Sequence, residues 1–165
     1  MRRLILLRHA KSSWGTPGLA DIDRGLNDRG KRDAPLMAQQ LLSRGLQPDY
    51  IICSTARRTR ATLTEFVTVL GTPPNTVHFR DDLYLATVST AQNIIASVPD
   101  TARALLLVGH NPTCTDLANL HGDLSIDNVP TCGCVSIDLD ITDWSEISSA
   151  RGMTVGFDYP KKLRR

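Results

Sequence analysis

Leu4-Ile5-Leu6-Leu7-Arg8-His9-Ala10 decides how this chain is read. Four consecutive apolar residues predict a strand buried on both faces, the kind found in a parallel sheet covered by helices. The strand must end at Arg8, because a guanidinium cannot continue into a core without an anionic partner. An arginine beside a histidine at such an end suits a site that holds an anion and attacks it. A second stretch repeats the pattern: Leu105-Leu106-Leu107-Val108 runs into Gly109-His110-Asn111-Pro112. A third, Tyr50-Ile51-Ile52-Cys53, ends in Ser54 and leads to Arg57-Arg58.

Helical patterns separate these runs. Ala34, Met37, Ala38, Leu41 and Leu42 have helix spacing, and Gly45 stops them. Ser54 is placed to cap a helix whose stripe is Leu63, Phe66, Val67 and Leu70. A short strand is predicted at Val77 to Phe79, and a helix through Ala91, Ile94, Ile95 and Val98. Asn111-Pro112 reads as a helix start, a capping side chain followed by proline at the first helical position. Val135, Ile137 and Leu139 alternate with Ser136, Asp138 and Asp140, which predicts a half-exposed antiparallel strand near an edge. Gly152 to Phe157 is a candidate to pair with it. The expected fold is a three-layer α/β/α sandwich, its central sheet mainly parallel with an antiparallel edge strand, in one domain spanning residues 1–165. The basic tail from Lys161 to Arg165 is expected to be frayed.

Composition narrows the function. The net charge is +2 and no apolar run is long enough to cross a membrane. Neither a nucleic-acid binder nor a membrane protein is expected, and the N-terminus lacks a signal-peptide pattern, which makes the cytoplasm the default location. Cys53, Cys114, Cys132 and Cys134 do not form a disulfide framework and read as small apolar residues. Of the 19 Lys and Arg residues only Lys11, Lys31, Lys161 and Lys162 are lysine. Arginine supplies the forked contact that phosphate oxygens accept. The histidines lie among arginines, which would repel a cation, so no metal is expected. His78 and His121 read as surface or core-edge residues. No phosphate-binding glycine loop, dinucleotide fingerprint or serine nucleophile elbow is present.

In an open parallel sheet, ligands bind beyond the carboxyl ends of the strands. If the three strong strands are neighbours, their polar ends converge there. With Leu7-Arg8-His9-Ala10-Lys11-Ser12, Arg24-Gly25-Leu26-Asn27-Asp28-Arg29-Gly30, Ser54 to Thr62, and Gly109-His110-Asn111-Pro112 in this order, the chain resembles the histidine phosphatase (phosphoglycerate mutase-like) superfamily. Val129-Pro130-Thr131, Trp144 and Pro160-Lys161-Lys162-Leu163 are similar to its phosphohistidine phosphatase SixA branch.

The resemblance implies a catalytic set of His9, Arg8, Arg58 and His110, with Arg57 the alternative to Arg58 or a contact at the rim. It implies further phosphate or substrate contacts from Lys11, Ser12 and Asn111. A general acid would fall in Arg80 to Tyr84, with Asp82 the candidate and a helix cap or surface acid the other reading. Neutral His9 would attack phosphorus, protonated His110 would stabilise the charge, and water would release phosphate. Short connections and a phosphoramidate leaving group favour phosphohistidine in a protein as the substrate. A general phosphomonoesterase acting on sugar phosphates or nucleotides is the second reading, and a non-catalytic phosphate-binding module the third. No cofactor is required. A monomer is expected, with phosphate or sulfate able to occupy the site.

Overall fold

The apolar run that opens the chain forms β1 (Arg2–Arg8) in a computed structural model that describes residues 1–164. Its alternation divides the interior into two cores. Leu4 and Leu6 face one side of the sheet, Ile5 and Leu7 the other, and all four are fully buried. The sheet contains β2 (Tyr50–Ser54), β3 (Val77–Arg80), β4 (Ala104–Gly109), β5 (Cys134–Leu139) and β6 (Gly152–Asp158), in the order β3-β2-β4-β1-β5-β6. The first four strands are parallel; β5 runs antiparallel to β1, and β6 to β5.

Helices α1 (Asp28–Ser43) and α2 (Arg57–Leu70) cover the Ile5 side through Met37, Leu41, Leu63 and Phe66. Helices α3 (Val88–Ala96) and α4 (Thr113–His121) cover the Leu4 side with Ile94, Ile95 and Leu117, joined by the turn carrying Trp144. The Trp144 ring is fully buried and its Nε1 donates to the Ala102 carbonyl at 2.8 Å, so its one polar atom is satisfied. The three-layer α/β/α fold is therefore present.

Four details differ from the sequence expectation. First, β5 is antiparallel and next to the edge, as expected, but it is buried almost throughout rather than half-exposed, and β6 is the edge strand with alternating exposure. The Asp138 carboxylate tolerates that position because Arg3, on the neighbouring strand, grips it through Nε at 2.6 Å and Nη2 at 3.0 Å. Second, the tail is ordered as α5 (Pro160–Leu163). Lys162 pairs with Asp158, and Arg164 with the fully buried Asp33. Arg165 lies outside the described residues. Third, Leu42 is exposed and stands off the apolar stripe of α1. Fourth, α4 begins at Thr113, with Pro112 before its first residue rather than in it; Asn111 still accepts the Thr115 N–H at 3.2 Å.

The start of α1 positions the site. The Asn27 side chain caps it by accepting the Gly30 N–H at 2.9 Å, and the Asn27 N–H donates to the Lys11 carbonyl at 3.0 Å. Gly30 packs directly on that carbonyl, and a Cβ there would collide with it. Gly→Ala in a helix normally stabilises by about 1 kcal/mol. At Gly30 we expect the reverse, a loss of about 1–3 kcal/mol from overpacking, with reduced turnover because Lys11 follows His9 so closely. Urea unfolding and aryl phosphate hydrolysis of Gly30→Ala check both; a stabilised, fully active variant would contradict the packing argument.

Candidate active site

Strand register builds the site. Arg8 pairs with Gly109 across β1 and β4, so the residues that follow, His9 and His110, leave the sheet side by side. The His9 N–H donates to the Gly109 carbonyl at 3.1 Å, and the two ring centroids are 5.4 Å apart. On the other flank Cys53 pairs with Val108, which brings Ser54 next to the same turn. The Ser54 hydroxyl lies 2.8 Å from His110 Nε2 and only 3.4 Å from the Ala56 N–H. Ser54 therefore serves His110 rather than capping α2, which starts after Ala56 without a side-chain cap.

Arg58, in the first turn of α2, is 3% exposed and joins these groups. Its Nε donates to His9 Nε2 at 3.3 Å, and its Nη2 lies 3.4 Å from His110 Nδ1. Its other contacts go to Asp21: Nη1 to the carbonyl at 2.8 Å and Nη2 to Oδ2 at 3.0 Å. One turn further along α2, Thr62 accepts the Ala10 N–H at 2.9 Å and donates to the Arg58 carbonyl at 2.8 Å. His9 Nδ1 is 2.8 Å from the Ala10 carbonyl. A carbonyl only accepts, so the neutral ring carries its proton on Nδ1 and its lone pair on Nε2. By the same reasoning His110 accepts from Arg58 at Nδ1 and donates from Nε2 to Ser54.

Both imidazoles are poor bases here. Burial, then the charges of Arg58, Arg8 and Arg24, push His9 down to about 4 against the pull of the Ala10 carbonyl. Burial, His9 and Arg58 push His110 down to about 3. Without an anion, His110 is thus neutral near pH 7, and the protonated ring expected with bound phosphate requires the anion's charge. The Tyr84 hydroxyl, Arg58 and Arg24 hold the Asp21 carboxyl down to about 2. Three guanidiniums act on two neutral rings and one carboxylate, which favours an incoming anion.

The other expected residues fall into distinct places. Arg8 sends Nη1 to the Val129 carbonyl at 3.0 Å, while its buried Nε has no partner among the described residues. Ser12 is buried and accepts Arg24 Nη1 at 2.9 Å, so it orients an arginine. Lys11 is half-buried, and its carbonyl anchors the α1 start. Arg57 is exposed at the rim, its Nη1 3.5 Å from the Asp23 carbonyl, so Arg58 is the buried member of the pair. Two residues have structural partners of their own. Asn111 spends its amide on Asn128 at 2.9 Å and the Val129 carbonyl at 3.0 Å, which makes it a brace between loops. Asp82 is 50% exposed and held by Arg80 at 2.7 Å, with its carboxyl lowered by that arginine. The ion pair with Arg80 fits the other reading of this residue, a surface acid.

Sequence reasoning missed Asp21 and Tyr84. The Tyr84 ring meets His110 edge-on, centroids 5.3 Å apart, and its hydroxyl donates to Asp21 Oδ2. Asp21 lies in a loop without periodicity, in the 3-10 turn Asp21–Asp23. Its one signal is the polar string Asp21-Ile22-Asp23-Arg24 beside the quoted Arg24 motif.

The depressed imidazoles give a titration prediction. The free protein should keep both rings neutral at pH 5.5 by imidazole NMR, and sulfate should raise both midpoints, because a dianion favours the charged rings. Their unfolded value is about 6.5. Unfolded chain therefore takes up protons first, and stability from these rings is lost as pH falls from about 6.5 toward their folded values. Ordinary midpoints in the free protein would refute the electrostatic description.

Comparison with known proteins agrees with this geometry. The histidine phosphatase superfamily (branch 1) matches residues 4–84. An uncharacterised chloroplastic protein of Arabidopsis thaliana is 37% identical over 160 residues, 92% of this chain and 72% of its own length. A crystal structure assigned as phosphohistidine phosphatase SixA from Agrobacterium tumefaciens is 30% identical, with a TM-score of 0.79 over 96% of this chain and 98% of that one. The protein histidine phosphatase SixA complexed with tungstate shares the fold at a TM-score of 0.82, with 18% identity over 98% of this chain and 99% of that one. With its paired imidazoles around a buried arginine, the chain belongs to the histidine phosphatase superfamily, in the SixA branch, and is a phosphatase.

Proposed function

We propose that this phosphatase hydrolyses phosphohistidine in a protein, through a phosphoryl group carried on His9. The observation that supports it most is the anchoring of His9 Nδ1 on the Ala10 carbonyl, which puts the lone pair on Nε2, facing Arg58 and His110. In the first step His9 Nε2 forms a bond to phosphorus as the bond to the leaving nitrogen breaks. Arg8, Arg58 and His110 hold the equatorial oxygens; His110 takes up a proton as the dianion arrives. In the second step water attacks phospho-His9, the P–N bond breaks, and the water proton leaves with inorganic phosphate. Lys11 and Arg57 contribute charge at the rim.

The acid inventory favours phosphohistidine over an ester. An alkoxide leaving group needs a proton from a neutral acid. Asp21 is held ionised by its partners, and Asp82 faces solvent. A phosphohistidine protonated on its second ring nitrogen departs as neutral imidazole and needs no such donor. One observation favours the phosphomonoesterase reading instead: the Tyr84 hydroxyl reaches the site and could donate to an ester oxygen. A phosphoserine phosphatase of Hydrogenobacter thermophilus is also 42% identical, over 67 residues or 39% of this chain.

Rapid quenching with labelled substrate should trap acid-labile phosphate on the wild-type enzyme and none on His9→Ala. Label that persists in His9→Ala would falsify the nucleophile. Arg58→Ala should lose about 10²-fold or more in kcat/KM, while Asp82→Asn should stay within about twofold of wild type because its carboxylate faces solvent. A panel of phosphohistidine protein, sugar phosphates and nucleotides decides the substrate; turnover of the esters alone would reverse our preference.

A further inference from the structure

On one face of the sheet the helical layer stops a strand short. Helices α1 and α2 cover β1, β4 and β2, while the edge strand β3 extends past α2 and carries Val77 and Phe79 on that face. Between α2 and β3 lies a groove of about 600 Å³, with walls from Ala61, Thr64 and Val67 on one side and Val77 and Phe79 on the other. Phe79 is 51% exposed. Its partner in β2 is Cys53, next to Ser54, so Phe79 lies at the catalytic end of the sheet. Arg57 and Arg60 line the same end of the groove. Neither forms an ion pair among the described residues.

We propose that this groove docks an amphipathic α-helix of the phosphorylated protein, its apolar stripe on Val67, Val77 and Phe79 and its acidic end against Arg57 and Arg60. The proposal rests on the phosphoprotein reading and gives it a recognition surface. The shape calls for a helix because the gap is one place in a layer of helices. Along α2 the groove runs roughly 16 Å from Arg57 to Thr68, about three turns. A helix seated there would contact it through residues spaced i, i+3 or i+4, and i+7. Two charged arginines and no acid among the lining residues select for acidic residues at that end. The groove's Arg57 end is one residue from the buried Arg58 in the first turn of α2, which places that end beside the active site. A helix docked here would therefore hold a phosphoryl group near His9 and increase its effective concentration there.

The test separates docking from catalysis. A fluorescent, unphosphorylated amphipathic peptide with a leucine stripe and glutamates at one end should bind saturably. Phe79→Asp and Arg60→Glu should each weaken it about tenfold or more, while both variants hydrolyse an aryl phosphate at the wild-type rate. A scrambled peptide should not bind. The same helix linked to a phosphohistidine should show a lower KM than phosphohistidine in a short glycine-serine peptide, and the two variants should erase the difference without changing kcat. Equal binding of helical and scrambled peptides, or binding unaffected by Phe79→Asp, would overturn the proposal. So would a dimer that Phe79→Asp dissolves, because the groove would then belong to a second copy. Peptide binding without turnover of any phosphohistidine substrate would support the groove and reject the substrate assignment instead.

Discussion

The buried guanidinium of Arg58 is the constraint on which the site depends. A charge at 3% exposure needs partners that replace water. Asp21 supplies a carbonyl and a carboxylate oxygen, and the two imidazoles complete the shell. Those partners come from a loop, the end of β1 and the end of β4, so satisfying one arginine fixes the relative position of three chain segments. Thr62 extends the same control to the backbone, holding Ala10 while bonded to the Arg58 carbonyl. The first two turns of α2 thus position His9 through its ring and through the residue after it.

The parallel strands were legible because burial on both faces leaves an uninterrupted apolar run whose polar end must emerge from the core. Arg8-His9, Ser54 and His110 are such ends, and the sheet brings them together at its carboxyl edge. Strand β5 was misread because its alternating Ser136 and Asp138 imply solvent on one face. A bidentate arginine from the neighbouring strand hides the aspartate, and only the pairing of β1 with β5 reveals that. The ordered tail was hidden likewise: Asp33 and Asp158, far back along the chain or beside it, determine where Arg164 and Lys162 settle.

The segment expected to hold an acid meets the imidazoles through Tyr84. In Arg80 to Tyr84 the carboxylates stand out by residue type, yet Asp82 is captured locally by Arg80 two positions away. Tyr84 reaches His110 because the 3-10 turn at Asp81–Leu83 redirects the chain after the edge strand. Asp21 was invisible for a related reason. A loop residue acquires its role from what it meets, and Asp21 meets Arg58, Arg24 and Tyr84 only in the folded molecule.

The distances around Arg58 also distinguish its back from its front. The contacts to Asp21 are 2.8 and 3.0 Å, one of them an ion pair with the carboxylate, while those to the imidazoles are 3.3 and 3.4 Å. The short pair locks the guanidinium plane. The long pair faces His9 and His110 and joins a cation to two neutral rings whose own protonation is suppressed. An arriving dianion can displace those weak contacts without disturbing the strong ones, and it offers the arginine charge-assisted bonds in return. Withdrawing the Arg58 Nε–H from His9 Nε2 also uncovers the lone pair that the proposed mechanism uses. In that mechanism anion binding and exposure of His9 Nε2 are coupled through one side chain, with the Asp21 carboxylate keeping that side chain in place while its partners exchange.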